Sequence, residues 1–260
     1  MRLDKFLAIS SIGTRKAVRD FVKQGKICVN NEKMLEPSIE IDESKDAITY
    51  LGEDVFLTPK VYYMFHKPAG CITARTDNNR KTVMDYFGMV NSKGLFPVGR
   101  LDKDTEGLLF LTNDGEFNHQ LMYPENHVEK TYFFWAFGSL DKLDLERLQK
   151  GISISETEPL TKPAIIQVIK EGLYDDLKGE MDIGDLINKK KNLYHQKVVC
   201  GYLTISEGRK HQVKRMLKSV GCFVVYLKRI SIGHVQLDKA LEKGSFRRLS
   251  SEEVDKLVNQ

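Results

Sequence analysis

Residues 99 to 109 read Gly99-Arg100-Leu101-Asp102-Lys103-Asp104-Thr105-Glu106-Gly107-Leu108-Leu109, three acids at every second position between the apolar runs Leu95-Phe96-Pro97-Val98 and Leu108-Leu109-Phe110-Leu111. Period-2 spacing flanked by strand-like runs predicts a turn at a sheet edge, where a loop can carry chemistry on a rigid scaffold. The acids resemble the start of a calcium loop, but the twelfth position, which needs a bidentate Glu, is Asn113, and the flanks read as strands rather than helices. Calcium is excluded on those grounds. Magnesium on Asp102 and Asp104 stays open as chemistry, although no metal is expected, and Asp104 and Glu106 read as solvated turn residues. A second segment, Glu207-Gly208-Arg209-Lys210-His211-Gln212-Val213-Lys214-Arg215-Met216, is strongly basic.

These segments need a scaffold, and 260 residues suffice for one sizeable core plus a small accessory unit. No run of eighteen apolar residues occurs, so no helix is expected to span a membrane, and the start Met-Arg-Leu-Asp-Lys implies no export. Cys28, Cys71, Cys200 and Cys222 form no C-x-x-C pair and read as reduced thiols of a cytosolic protein, which argues against structural zinc. Net charge is only +4, but residues 1–33 hold eight Lys/Arg against three acids, and residues 209–234 hold seven and no acid. Two basic patches point to a polyanion contacted at two places.

Residues 3–9 and 14–24 read as helices, the second capped by Thr14 and stopped by Gly25. Its apolar stripe is Ala17, Val18, Phe21 and Val22, leaving Arg15, Lys16, Arg19 and Lys23 for the exposed side. Strands are expected at 26–29, beyond an Asn30-Asn31 turn at 39–41, and at 48–50, with a linker from Glu53 to Pro59. Further strands are expected at 61–65, 95–98, 108–112, 131–137, 164–169, 198–205, 222–227 and 230–235. Helices are expected at 82–87, 115–122, 141–150, 209–219 and 251–258. Because strands and helices do not alternate strictly, the class is α+β with a mixed sheet. The usual dinucleotide and P-loop motifs are absent. Residues 172–197 are polar and charge-segregated and read as a mobile insertion in a hairpin.

Four ordered motifs carry a family resemblance: His66-Lys67-Pro68-Ala69-Gly70, Gly99 to Leu109, Glu129-Lys130-Thr131-Tyr132, and Arg209-Lys210-His211-Gln212-Val213-Lys214-Arg215-Met216. With them the chain resembles the RsuA-like branch of the RNA pseudouridine synthases nearly end to end. Residues 1–50, with Arg2-Leu3-Asp4-Lys5, Thr14-Arg15-Lys16-Ala17 and Gly25 to Asn30, resemble the small α-L RNA-binding domain. The resemblance implies an α-L domain over 1–58 and, over 59–260, a mainly antiparallel β-sheet catalytic domain with flanking helices.

The chemistry implied is uridine isomerisation: the bond from uracil N1 to ribose C1′ breaks, the base turns, and C5 rejoins. Nothing is oxidised and no group is added, so no cofactor is expected. A carboxylate must face C1′ as nucleophile or as base, and by resemblance it is Asp102. A fixed cation would keep a carboxylate in a closed pocket ionised, and the H-Q-V-[RK] position implies Lys214, with Arg209 as the alternative and phosphate contact as the plainer role for Lys214. Tyr132 would stack on uracil and serve proton transfer, unless it is simply core. His211 and Gln212 read as local hydrogen-bonding residues outside the chemistry.

A uridine in folded RNA must leave its stack, at about a few kcal/mol. The resemblance gives Arg100 the part of filling the gap. Arg15, Lys16, Arg19, Lys23 and Arg215 would hold RNA, the first four by phosphate contacts that fix register without reading sequence. The H-Q-V-K-R-M form points to one uridine of small-subunit 16S rRNA, position 516, met within an assembly intermediate by a cytoplasmic monomer. The alternatives are a sister enzyme on 23S rRNA and a non-catalytic ribosome-assembly factor.

Overall fold

The computed structural model describes residues 1–10, 12–88, 94–180 and 195–259. The first part of the chain forms α1 (Leu3–Ile9), α2 (Arg15–Lys23), β1 (Ile27–Val29), β2 (Glu32–Met34), β3 (Ile48–Tyr50) and β4 (Glu53–Asp54). The strands make an antiparallel sheet in the order β2-β1-β3-β4. Thr14 caps α2 by accepting from the Ala17 N–H at 3.2 Å, satisfying one of the free donors of the first turn. Gly25 ends the helix at φ +65°. Val18 and Val22 of α2 are buried with Leu3, Phe6 and Leu7 of α1 and with Ile27 and Ile48 of the sheet.

Two expectations fail here for one reason. The expected strand at 39–41 is only an isolated bridge between Arg2 and Glu40, and the residues expected as linker, Glu53 and Asp54, are β4. Asn30 and Asn31, both at positive φ, make a two-residue turn that pairs β1 with the next residues, Glu32–Met34. Leu51 and Gly52 do the same between β3 and β4. Both partner strands are polar and largely exposed, so no apolar alternation announces them.

The second part contains β5 (Tyr62–Lys67), a 3-10 turn (Val83–Phe87), β6 (Phe96–Val98), β7 (Glu106–Thr112), α3 (Gly115–Met122), β8 (Lys130–Phe137), α4 (Lys142–Lys150), β9 (Ile165–Leu173), α5 (Tyr174–Leu177), β10 (Lys197–Ile205), α6 (Gln212–Lys218), β11 (Phe223–Ile232), β12 (Val235–Gln236), β13 (Phe246–Arg248) and α7 (Ser251–Val258). Its sheet runs β13-β5-β7-β11-β8-β10-β9, with β6 also on β7 and β12 also on β11. Every pairing is antiparallel except β7 with β11. The fold is therefore α+β with a mixed sheet, as expected.

β7 is buried on both faces: Leu109 and Leu111 enter one core, Leu108 and Phe110 another. That explains its unbroken apolar run, since neither face meets water. β8 alternates, with Tyr132, Phe134 and Ala136 in the main core and Phe133, Trp135 and Phe137 on the opposite face.

The expected strands 222–227 and 230–235 are largely one strand, β11, whose register against β8 shifts between Val224 and Tyr226 and again between Arg229 and Ser231. Each bulge breaks the period-2 pattern, so one strand reads as two. Helix α6 starts at Gln212 rather than 209, because His211 takes a left-handed conformation, φ +53°. β9 continues to Leu173 and α5 follows, inside the stretch expected as an insertion; residues 181–194 of that stretch lie outside the described residues.

Candidate active site

The loop that carries Asp102 is held from below by Lys67. That side chain is fully buried, and its ammonium donates to the carbonyls of Pro68 at 3.1 Å, Asp102 at 3.0 Å, Lys103 at 3.3 Å and Thr105 at 2.9 Å. Burial pulls the Lys67 ammonium below its ordinary pKa, and nearby acids pull the other way. The Thr73 hydroxyl donates to Leu101 O at 2.8 Å and accepts from the Leu101 N–H at 3.1 Å. Gly107 sits at φ +104°, and a Cβ there would meet Arg229 O at 2.2 Å. Only glycine lets β7 lie this close to β11, whose Arg229 pairs with it in parallel register.

Asp102 opens onto a cavity of about 890 Å³, its side chain 26% exposed. Lys214 of α6 places Nζ 3.4 Å from Asp102 Oδ2 and 2.5 Å from Asp104 Oδ1. Burial tends to raise the Asp104 carboxyl, but the hydrogen bond and charge of Lys214 outweigh it and hold Asp104 below the usual carboxylate range. The His211 Nε2 lies 3.5 Å from Asp102 Oδ1, a consequence of the left-handed turn that starts α6. One carboxylate thus faces an ammonium and an imidazole from the same segment. Sequence reading had no means to place His211 here, since the turn depends on a non-glycine residue at positive φ.

The β8–β11 wall of the cavity carries Lys130, Tyr132, Leu227 and Arg229. Tyr132 is 8% exposed; it belongs to the core cluster and lines the cavity as well. Arg229, opposite Tyr132 in the ladder, is buried, and its Nη1 lies 3.5 Å from the Tyr132 hydroxyl. Lys130 donates to Val128 O at 2.7 Å, and burial, aided by the Arg229 charge, lowers it to about 8.

The remaining expected site residues divide. Arg100 is exposed and lines the cavity. Arg209 also lines it, but its guanidinium is committed elsewhere: to Glu207 at 3.2 Å, to Pro159 O at 2.6 Å and to Leu160 O at 2.8 Å. Glu207 further accepts from Gln212 at 2.7 Å and from the Lys162 N–H at 3.0 Å, so it anchors the basic segment. Arg215 spends its donors on Ile154 O, Lys210 O and Glu158. Glu106, expected as a solvated turn residue, is 7% exposed and accepts from the Tyr226 hydroxyl at 3.0 Å and pairs with Lys243 at 3.0 Å. It starts a strand rather than a turn, and its side chain leans on β11. Arg15, Lys16, Arg19 and Lys23 are all exposed on α2, with Arg19 Nε on Asp4 at 2.7 Å. Among the described residues no group of three or more His, Cys, Asp or Glu side chains gathers as a metal would need, and no helix is long and apolar enough to cross a membrane.

Known proteins match this chain over nearly its whole length. Residues 61–219 match the RNA pseudouridylate synthase family and residues 1–46 the S4 domain. The chain is 40% identical to the uncharacterized RNA pseudouridine synthase YtzG of Bacillus subtilis, over 100% of this chain and 99% of that one. It is 34% identical to ribosomal small subunit pseudouridine synthase A of Haemophilus influenzae (99% and 100% covered) and 35% identical to ribosomal large subunit pseudouridine synthase B of Bacillus subtilis (98% and 95%). A solved pseudouridylate synthase superposes with a TM-score of 0.65 at 32% identity, covering 99% of this chain and 100% of that one. Fold and site define an RNA-modifying isomerase with an S4 unit ahead of its catalytic sheet. The chain belongs to the RNA pseudouridine synthase family, in its RsuA-like branch.

Proposed function

We propose that this enzyme converts one uridine of small-subunit 16S rRNA, position 516, to pseudouridine, with Asp102 as the group that acts at C1′. The observation that carries the reading is the Asp102 carboxylate at the cavity, 3.4 Å from Lys214. Lys214 rather than Arg209 serves as its cation, because Arg209 is held by Glu207 and two carbonyls. The uridine leaves its stack, Arg100 at the rim fills the gap, and Tyr132 stacks on the base within the cavity. Asp102 then either adds to C1′ or takes a proton from C2′. The N1–C1′ bond breaks and the base turns; C5 bonds to C1′ as the Asp102–C1′ bond breaks or the C2′ proton returns, and the C5 proton is lost while N1 gains one.

Residues 1–58 act as the RNA-binding unit and 59–260 as the catalytic unit. The exposed cations of α2 supply phosphate contacts, which bind without reading sequence. The enzyme works as a monomer in the cytoplasm on an assembly intermediate; the free Cys28, Cys71, Cys200 and Cys222 support the reducing compartment.

The Bacillus subtilis relative named for the large subunit supports a second reading, action on 23S rRNA, since its identity of 35% is no lower than the 34% of a small-subunit relative. Pseudouridine mapping of total rRNA, by carbodiimide labelling and primer extension in cells with and without the gene, tests both. Loss of position 516, restored by the natural chain but not by Asp102→Asn, is the expected result. Loss of a 23S site moves the substrate, and an active Asp102→Asn sinks the role of Asp102. No change at any site would favour a non-catalytic assembly factor.

A further inference from the structure

Breaking the C1′–N1 bond leaves its electron pair on the base. The detached ring is a uracilate anion, its charge shared over O2 and O4, until C5 bonds to C1′ and releases its proton. Both routes open to Asp102 pass through this anion. In a cavity that excludes water, fixed donors or cations must stabilise it. Lys214 is already engaged by two carboxylates, Asp102 and Asp104.

Arg229 is not so engaged. Its side chain is 2% exposed and lines the cavity. Nε donates to Leu108 O at 2.8 Å, and Nη1 reaches the Tyr132 hydroxyl at a long 3.5 Å. Nη2 is buried and has no hydrogen-bond partner among the described residues. A buried donor is rarely left unpaired, because it loses its water and gains nothing. Lys130 stands on the same wall, and its ammonium bonds only to Val128 O among the described residues. No carboxylate among those residues pairs with either cation, so two buried positive charges flank Tyr132 without a counter-ion. The Nε bond to Leu108 O ties the guanidinium to β7, where Gly107 lets the Arg229 backbone approach closely.

We propose that Arg229 is the receptor for a uracil carbonyl oxygen: Nη2 donates to that oxygen and stabilises the charge the base takes on when it leaves C1′, with Lys130 adding to the field. The proposal rests on reading Asp102 as the group at C1′. A guanidinium rather than an ammonium suits the task, since Nε holds the side chain to the β7 backbone while the outer nitrogens remain for the base.

The test compares two RNA substrates, one with uridine and one with 5-fluorouridine at the position the natural chain modifies. Fluorine at C5 withdraws electrons, so the base departs as a more stable anion and depends less on the protein. After rejoining, C5 keeps its fluorine and has no proton to release, so the C-linked base takes up water at C6. Loss of the N-linked nucleoside is followed at saturating enzyme by mass spectrometry of digested RNA. Arg229→Gln is expected to slow uridine conversion roughly 100-fold, the scale for one donor to a developing anion, and 5-fluorouridine conversion only about 10-fold. Lys130→Met is expected to shift the ratio the same way by less. Equal losses on both RNAs would overturn the proposal and leave Arg229 as a strut between β7 and β11. Should Arg229→Gln not fold by thermal melting, Arg229→Lys, which keeps the charge without the fork, is read by the same ratio. Asp102→Asn serves as the control: activity there sinks the underlying reading, whereas an unchanged ratio sinks only the role of Arg229.

Discussion

The outer face of α2 and the cavity around Asp102 are both rich in lysine and arginine, yet the cations do unlike work. Arg15, Lys16 and Lys23 stand in solvent on a helix whose other side is anchored by Val18 and Val22. Such charges keep their hydration and can meet any phosphate within reach, so they are interchangeable and sensitive to salt. Lys67, Lys130 and Arg229 have lost their water and are bound to particular carbonyls and to a tyrosine. Desolvation makes each of these costly to keep charged without its partners and specific in its effect. Lys214 stands between the two kinds, part-buried and shared by Asp102 and Asp104.

The contrast is sharpest at Lys214. Replacement by Met is expected to lower the single-turnover rate by about 10² to 10³, since the charge facing the Asp102 carboxylate proposed to act at C1′ is lost. RNA affinity, measured by fluorescence anisotropy, should change by less than about three-fold, the cost of a rim charge. Weaker binding with an unchanged rate at saturation would place Lys214 with the phosphate contacts of α2 instead. Lys67 tests the buried extreme. Lys67→Met strips four carbonyls of their donor and is expected to cost about 3 kcal/mol, a fall of roughly 6–12 °C in Tm. Lys16→Met on the exposed face should stay within about 0.5 kcal/mol. Equal melting temperatures for the two variants would abolish the distinction.

How far these roles could be read from the sequence follows the range of the signal. Helix α2 is legible because its cap at Thr14, its apolar stripe and its stop at Gly25 all lie within twelve residues. Helix α7 is legible in the same way, since Ser250 and Glu253 cap each other. Asp102 and Tyr132 stood out through the motifs around them. β2 and β4 stayed hidden because turns, not apolar alternation, pair them. The cations were the hardest to sort. The acid-free stretch from 209 to 234 read as one patch for a polyanion, yet Arg209 and Arg215 are tied down by acids and carbonyls, and Arg229 lies inside the sheet. Lys228 and Arg229 are neighbours in sequence, and only the bulged register of β11 against β8 sends the second to the Tyr132 face. That information is non-local. His211 carried no signal for its left-handed turn either.

A smaller effect is expected where cations are solvated. Replacing Arg15, Lys16 and Lys23 together by Gln should weaken RNA binding roughly ten-fold at 0.1 M salt and reduce the slope of log affinity against log salt by about two, the value for three lost phosphate contacts. The rate at saturating enzyme should not move. A lower rate at saturation would mean that α2 also positions the uridine, and the separation between binding face and cavity would narrow.

The finest test uses pH. In the folded chain burial, and then the Arg229 charge, lowers the Lys130 ammonium from 10.5 to about 8. Below pH 8 both folded and unfolded chains hold this proton, and the folded state bears the whole cost of a buried charge. Above pH 8 the folded chain releases the proton while the unfolded chain keeps it until about pH 10.5. The unfolded state then binds more protons, so stability rises with pH through this window. Lys130→Met removes the cost at every pH. Its advantage over the natural chain in urea titrations should therefore shrink by about 2 kcal/mol between pH 7.5 and 9.5. A constant difference would mean that Lys130 is not desolvated in the folded chain. The β8–β11 wall would then hold one buried charge, that of Arg229, instead of two.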